Sequence, residues 1–284
     1  MYWVVQENIY QERRYDDFLR ALQVLKVEHQ VVKVVPFANK LLPAGAVPKN
    51  GLAIDELPEP YVDTSKDVIV FGSITLGKLA LQRGWKPGVF LNENFDFRIW
   101  SERYGFENVL NGDSVTGKVC NISVPEEWKW VFLRPVLDDK AFAGTVLSKS
   151  DFDGWLLKNS DTEESEFTPL HRNTSIAVAP AKNIQQEYRL FCVEGEVVTG
   201  SLYKQDGKEL RKEFDELESP EVSRFANSMI EKWRPAVAFV IDIAVTIMGP
   251  KIIEINSINS AGFYEANPQQ IVMAIEELNL VSTH

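Results

Sequence analysis

The first ninety residues alternate between two hydrophobic patterns. Tyr2 to Val5 is a short run of β-favouring residues, and Val31 to Phe37 is a β-branched run. Between them, apolar positions recur at Phe18, Leu19, Leu22 and Leu25, the spacing of one helix face, which predicts a helix over Arg13 to Glu28. Val68 to Phe71 reads as a buried strand that passes through Gly72-Ser73 into a helix ending near Arg83, and Val89 to Leu91 reads as a further short strand. Leu41 to Lys66 is rich in proline, glycine and acidic residues and predicts a long loop. Strands alternating with helices in this way predict a small parallel α/β unit.

The pattern then changes. Trp130 to Arg134 and Thr145 to Ser148 predict paired strands around a turn containing Gly144. Asn159 to Glu166 is polar and acidic and predicts a loop, whereas Ile176 to Ala179 is apolar and stops at Pro180. Further strands are expected at Tyr188 to Val193, Val197 to Tyr203, Phe239 to Val245 and Lys251 to Asn256, with helices at Pro220 to Trp233 and Pro268 to Leu278. The domain organisation expected from this is a unit over residues 1–125 followed by a second over 126–284, itself split into a smaller lobe (126–182) and a C-terminal lobe (183–284). No internal repeat or low-complexity tract interrupts it.

The last two strands hold the sharpest chemical signal. On Lys251 to Asn256, Glu254 and Asn256 are two positions apart and so share a face, with Ile253 and Ile255 on the other. On the preceding strand Asp242 sits between Ile241 and Ile243. Met248-Gly249-Pro250 is the expected turn, and an odd number of loop residues would set Asp242 opposite Glu254 or Asn256. Two facing carboxylates repel and are costly to desolvate. A divalent cation removes that conflict, and magnesium prefers hard oxygen ligands of this kind, usually one or two carboxylates completed by phosphates and water. Asp242, Glu254 and Asn256 are therefore the candidate metal ligands. The bland alternative is a solvated polar face.

Arg134 and Arg189 each lie within an apolar run, where an unpaired guanidinium is expensive. Each is either the partner of a carboxylate (Glu187, by parity, in the case of Arg189) or a cation awaiting an anionic ligand. Composition narrows the rest. The chain has 284 residues, 45% of them hydrophobic, ample for packed cores, and a formal charge of −11, which argues against bulk nucleic-acid binding. Its longest apolar stretch, Ala236 to Gly249, is broken by Asp242 and falls short of the roughly 20 residues a membrane span needs. The N-terminal sequence lacks a basic n-region and a cleavage site, so no signal peptide is expected. The two cysteines, Cys120 and Cys192, sit in apolar strand-like runs and are read as buried free thiols, consistent with a cytoplasmic setting. No HExxH, GxSxG or Walker A pattern appears.

An Asp-bearing strand followed by one ending Glu-x-Asn resembles the metal-binding end of the ATP-grasp superfamily. The segments EINSINSAGFYEAN, EYRLF, SLY and FLRPVLDDKAFAG more narrowly resemble a subfamily frequent in phages and bacteria and known for two arginines and one lysine at its nucleotide site. The similarity covers roughly Trp130 to Pro268. It implies an ATP-grasp fold of mixed α/β (α+β) class, in which two α+β lobes clasp the nucleotide behind the N-terminal parallel α/β unit. It also implies ATP with magnesium (manganese as an alternative) and a carboxylate–amine ligase that works through an acyl-phosphate and ADP. It gives Arg134, Lys140 and Arg189 to the phosphates, with Arg189 and Lys140 acting in catalysis. It gives Ala179 and Ala181, in SIAVAPAKNI, to an inter-lobe hinge beside the adenine, and sets Asn259, Ser260 and Tyr264 beside the acceptor. Lys182 and Lys204 are weaker candidates. The partners implied are ATP, a carboxylate and an amine (a small molecule or a peptide terminus), and no membrane. A phosphotransferase acting on a hydroxyl and a non-catalytic nucleotide-binding module remain as alternatives.

Overall fold

The computed structural model describes residues 1–35, 39–47, 57–137, 141–165 and 170–278. The described residues form three sheets. The first contains β1 (Tyr2–Gln6), β2 (Glu28–Val35), β3 (Lys40–Pro43), β4 (Val68–Phe71) and β5 (Pro87–Gly88) in the order β3-β2-β1-β4-β5. All its pairings are parallel except that of β3 with β2. Helix α1 (Tyr15–Val24) connects β1 to β2 and buries Tyr15, Phe18, Ala21 and Leu22, one stripe at helical spacing. Helix α2 (Ile74–Gln82) follows β4, and the Ser73 hydroxyl caps it by accepting the Leu76 amide.

The second sheet is β6 (Val115–Lys118), β7 (Trp130–Pro135), β8 (Thr145–Ser148) and β9 (Ser175–Pro180), ordered β6-β9-β7-β8 and antiparallel throughout. Helix α3 (Phe97–Tyr104) precedes it, and α4 (Lys149–Asn159) continues directly from β8. The third sheet contains β10 (Gln186–Val193), β11 (Glu196–Gln205), β12 (Lys208–Glu213), β13 (Ala238–Thr246) and β14 (Gly249–Asn256) in the order β12-β11-β10-β13-β14, again antiparallel. Helices α5 (Pro220–Lys232) and α6 (Pro268–Glu276) both carry proline in their first turn, where its missing N–H costs nothing.

The expected strands of the last hundred residues, and β4 and β8, form as read. The differences have local causes. Helix α1 is shorter than expected because Lys26 takes a positive φ of 56°, and the chain enters β2 at Glu28 rather than Val31. The expected loop after Leu41 begins as β3. The expected strand at Val89 to Leu91 is replaced by the two-residue pairing of Pro87–Gly88 with β4. Helix α4 was invisible to periodicity because Phe152 is its only buried residue, and strand β12 because its side chains are exposed and mostly charged, as suits a sheet edge.

The β13–β14 hairpin meets its geometric requirement by an unexpected route. Thr246 pairs with Gly249, so the loop is the two residues Ile247 and Met248 rather than the expected three. A loop of two would set Asp242 opposite Ile253. Instead the register shifts between Asp242 and Ile243, which pair with Glu254 and Ile252 respectively, leaving Ile253 as a β-bulge. The bulge also alters the inner face of β14. Ile252 and Ile255, not Ile253 and Ile255, enter the core, and Ile253 is only half-buried.

The third sheet has one uniform face and one divided face. Tyr188, Leu190 and Cys192 of β10 and Phe239, Ile241, Ile243 and Val245 of β13 pack into one cluster with α3 and α5. On the opposite face Phe191, Val193, Ala238 and Val240 join a second cluster with α1, α6 and the first sheet. Arg189 and Asp242 share that second face by parity, beyond the apolar half.

Candidate nucleotide and metal site

Arg189 and Asp242 are cross-strand partners. The guanidinium makes a two-pronged contact: Nε donates to Asp242 Oδ1 at 2.9 Å and Nη2 to Oδ2 at 2.7 Å. Such a fork is stronger and better oriented than a single ion contact. Nη1 also donates to the Gly262 carbonyl at 3.3 Å, and the guanidinium carbon lies 5.0 Å from the centre of the Tyr264 ring. The Tyr264 ring in turn stacks on Tyr203 at 4.5 Å with 8° between planes. Glu187, the other candidate partner for Arg189, is instead held by Lys204 at 3.1 Å and by the Tyr203 hydroxyl at 2.9 Å.

Across the hairpin, Glu254 faces Asp242. Its Oε1 lies 3.7 Å from Arg189 Nη2 and accepts the Asn256 Nδ2–H at 3.0 Å; its Oε2 lies 3.6 Å from Arg134 Nη2. Arg134 projects from β7, in a different sheet. Its Nη1 donates to the Ile253 carbonyl at 3.4 Å, a group presented at the bulge. The guanidinium carbon sits 5.5 Å from the Phe97 ring centre and 5.9 Å from that of Trp100, so aromatic faces of α3 help hold the cation. Two arginines, two carboxylates and one amide thus form one continuous network joining two sheets.

The two carboxylates differ in environment. Asp242 has 2% of its side chain exposed, and burial pushes its carboxyl up to about 7, against the pull of Arg189. The Glu254 side chain is 31% exposed and faces a cleft. Burial raises its carboxyl too, but Arg134, the Asn256 hydrogen bond and Arg189 outweigh that and leave it below the usual carboxylate range. The same surroundings push the Tyr203 hydroxyl far up, by burial first and then by Asp242 and Glu187.

The cleft has a volume of about 490 Å³, within the ~300–1,000 Å³ common for ligand sites. Its polar lining includes Arg134, Arg189, Glu254 and Asn256, and its apolar lining includes Phe132, Leu137 and Phe142. Ser260, Ala261 and Gly262 line it as well. Composition alone could not pick out Phe132, Phe142 and Gly262. Parity along β7 could have found the first, since Phe132 and Arg134 are two apart and share a face.

Other expected residues lie elsewhere. Ala179 is buried in β9 opposite Phe132, and the Ala181 amide donates to the Trp130 carbonyl at 2.9 Å; neither lines the cleft. Lys140 lies outside the described residues. Asn259 is a structural stitch: its Nδ2 donates to the Val70 carbonyl at 2.7 Å and its Oδ1 accepts the Phe90 amide at 2.8 Å. Lys182 pairs with Asp113. Both cysteines are free thiols; Cys192 is buried in β10 as expected, whereas Cys120 lies in a turn rather than a strand and is only half-buried.

The donor set fits a magnesium ion only in part, and in the usual manner. Among the described residues no group of three or more His, Cys, Asp and Glu side chains is placed to hold a metal. Two facing carboxylates and an amide oxygen supply part of an octahedron, and magnesium normally takes the remainder from phosphates and water. Asp242 has acceptor capacity beyond its two bonds to Arg189. Asn256 turns its Nδ2 toward Glu254, so ligation through its amide oxygen requires the amide to turn over.

This combination, a third sheet carrying paired carboxylates and an arginine against a second sheet carrying another arginine, defines an ATP-grasp architecture. The family model for the ATP-grasp domain, R-two-K clade, family 2, matches residues 113–274, more than half of the chain, and the chain belongs to that family. Among solved structures it is similar to the D-cycloserine synthetase DcsG, with a TM-score of 0.60, 10% identity and coverage of 98% of this chain and 99% of that one. It is also similar to the D-alanine–D-alanine ligase of Bacillus anthracis complexed with ATP, with a TM-score of 0.56, 12% identity and coverage of 97% and 96%. At these identities the likeness is one of fold. No curated protein sequence matches the chain significantly. No helix among the described residues is long and apolar enough to cross a membrane.

Proposed function

We propose that the chain is an ATP- and magnesium-dependent carboxylate–amine ligase. The observation that carries this reading is the convergence of Arg134, Arg189, Glu254 and Asn256 on a cleft that Phe132, Leu137 and Phe142 also line, backed by the buried Asp242. A polyphosphate needs the cations, a metal needs the carboxylates, and a purine needs an apolar wall. Phe132, Leu137 and Phe142 supply that wall, and the hinge strand containing Ala179 supports Phe132 from the adjacent position in the sheet.

Asp242, Glu254 and Asn256 would hold the ion, which when bound neutralises charge on phosphate oxygens. Arg189 and Arg134 bind and orient those phosphates, with Lys140 as the third cation of the two-arginine, one-lysine set. A substrate carboxylate oxygen attacks the γ-phosphorus while the bond to the bridging oxygen of ADP breaks. An amine nitrogen then attacks the acyl carbon, inorganic phosphate leaves with the C–O bonding pair, and the ammonium proton passes to solvent. No protein nucleophile is needed; positioning and electrostatics carry the rate, as in other phosphoryl transfers.

Purified protein incubated with ATP, magnesium and paired panels of carboxylic acids and amines should release ADP and inorganic phosphate together with a new amide. A phosphorylated acceptor without free phosphate would show a phosphotransferase instead. Nucleotide binding with no ADP from any pair would overturn the enzymatic reading.

A further inference from the structure

Tyr264 has a backbone conformation that its side chain does not favour. Its φ is 51°, and left-handed backbone is sterically costly for a bulky residue. The Ala266 amide donates to the Phe263 carbonyl at 2.9 Å, so Tyr264 is the first central residue of a tight turn. Turns with a positive φ at that position are dominated by glycine, asparagine and aspartate. Both flanks are pinned. Phe263 is fully buried in the cluster that draws on the first and third sheets, and its amide donates to Glu12 Oε2 at 3.3 Å. A β-carbon on Gly262 would lie 2.9 Å from the same oxygen, so only glycine allows that approach. Glu265, the other central residue, pairs with Arg14 at 3.3 Å.

Backbone strain of this kind persists where surrounding contacts over-determine it. Here two of those contacts belong to the Tyr264 ring. One is with Arg189, whose guanidinium carbon lies 5.0 Å from the ring centre. The other is with Tyr203, whose ring is 4.5 Å away and within 8° of parallel. Tyr203 is itself braced: its hydroxyl donates to Glu187 Oε2 at 2.9 Å, and Glu187 pairs with Lys204 at 3.1 Å. Glu187 stands in β10, the strand that also carries Arg189, so the stack and the guanidinium rest on one element.

Arg189 is held along its N–H edges by Asp242 and by the Gly262 carbonyl. Among the described residues these bonds use three of its five N–H groups and leave one on each Nη for a ligand. The Tyr264 ring meets the cation differently, through its π face, and limits the tilt that edge bonds permit. Arg189 lines the nucleotide cleft and Tyr264 does not, so the ring acts on a ligand only through the arginine. We propose that Tyr264 is a positioning residue for Arg189: its strained turn sets an aromatic face against the guanidinium, so that the two open N–H groups meet the phosphates of the nucleotide in one orientation. The inference rests on the reading of Arg189 as a phosphate ligand, and not on the ligation step.

The test is a double-mutant cycle on the full chain, read by calorimetric titration with magnesium and a non-hydrolysable ATP analogue, with adenosine as the phosphate-free control. Tyr264→Phe keeps the ring and should hold the analogue's affinity within about twofold, whereas Tyr264→Leu should weaken it at least about fivefold, equivalent to ~1 kcal/mol, and leave adenosine within about twofold. In an Arg189→Lys background, Tyr264→Leu should cost less than about twofold, because the group that the ring orients is gone. Tyr264→Gly suits the backbone; it should melt no lower than Tyr264→Leu and yet bind the analogue no better. Equal binding by a folded Tyr264→Leu protein overturns the proposal, as does a parallel loss of adenosine binding or an undiminished loss in the Arg189→Lys background. Recovery of wild-type affinity by Tyr264→Gly overturns it too, and decides the matter alone if Tyr264→Leu does not fold. The full pattern without ADP release from any substrate pair would keep the role of Tyr264 and remove the ligase reading; an active ligase whose analogue affinity is unmoved by Tyr264→Leu would do the reverse.

Discussion

Among the individual residues of the site, each charge depends on another. Removing Arg189 leaves Asp242 buried without its fork, and breaking a buried pair from one side typically costs about 3–5 kcal/mol. Arg189→Ala should lower stability by about that amount in urea unfolding of the nucleotide-free protein, and should abolish binding of a fluorescent ATP analogue. Arg189→Lys should recover only part of either, because an ammonium is a point charge and cannot span both oxygens of Asp242. Glu254 differs in that its carboxylate faces the cleft while also joining Arg134 and Arg189. Glu254→Gln should lower the unfolding midpoint, though less than Arg189→Ala because Asp242 keeps its fork, and should weaken manganese binding at least about tenfold in the presence of nucleotide, as read by electron paramagnetic resonance, because a formal charge leaves the ligand set.

Among the elements, the bulge in β14 aligns chemistry with packing. Regular alternation after a two-residue turn would turn Glu254 to the same face as Ile252. With Ile253 bulged, Ile252 and Ile255 enter the core while Glu254 and Asn256 face the cleft. Strand β11 supports β10 from the other side through a close backbone approach. A β-carbon on Gly200 would lie 2.7 Å from the Arg189 carbonyl and 2.5 Å from Leu190 Cδ2. Gly200→Ala should therefore cost about 1–3 kcal/mol in thermal or chemical unfolding, and should weaken nucleotide binding by displacing the strand that presents Arg189.

In the molecule as a whole, the first sheet is not an appendage. Phe71 of β4 stacks on Phe263 at 5.0 Å, Phe18 of α1 lies 5.4 Å from the same ring, and Phe191 of β10 lies 6.1 Å from it. The Trp3 indole donates to Glu276 of α6 at 2.6 Å, and Asn259 bonds both Val70 and Phe90. One apolar cluster therefore draws on both ends of the chain. A fragment of residues 1–125 should fail to give dispersed proton NMR resonances on its own, whereas the intact protein should unfold with that region in a single transition.

Most elements and their local chemistry were legible in the amino-acid order. Period-2 and period-3.6 patterns depend only on neighbours along the chain, so the strands bearing Arg134, Arg189, Asp242, Glu254 and Asn256 could be read, as could the shared face of Glu254 and Asn256. Elements that bury little, α4 and β12, could not, because hydrophobic pattern reports burial and they have almost none. The partners of each group came from the folded molecule. Asp242 rather than Glu187 holds Arg189 because β13 pairs with β10 and because Glu187 is taken by Tyr203 and Lys204. The facing of Asp242 and Glu254 required the bulge, and the approach of Arg134 required a second sheet. The meeting of Glu12 with Gly262 joins positions 250 residues apart in the chain. Such contacts arise from packing between sheets, a long-range property that no local period in the sequence encodes.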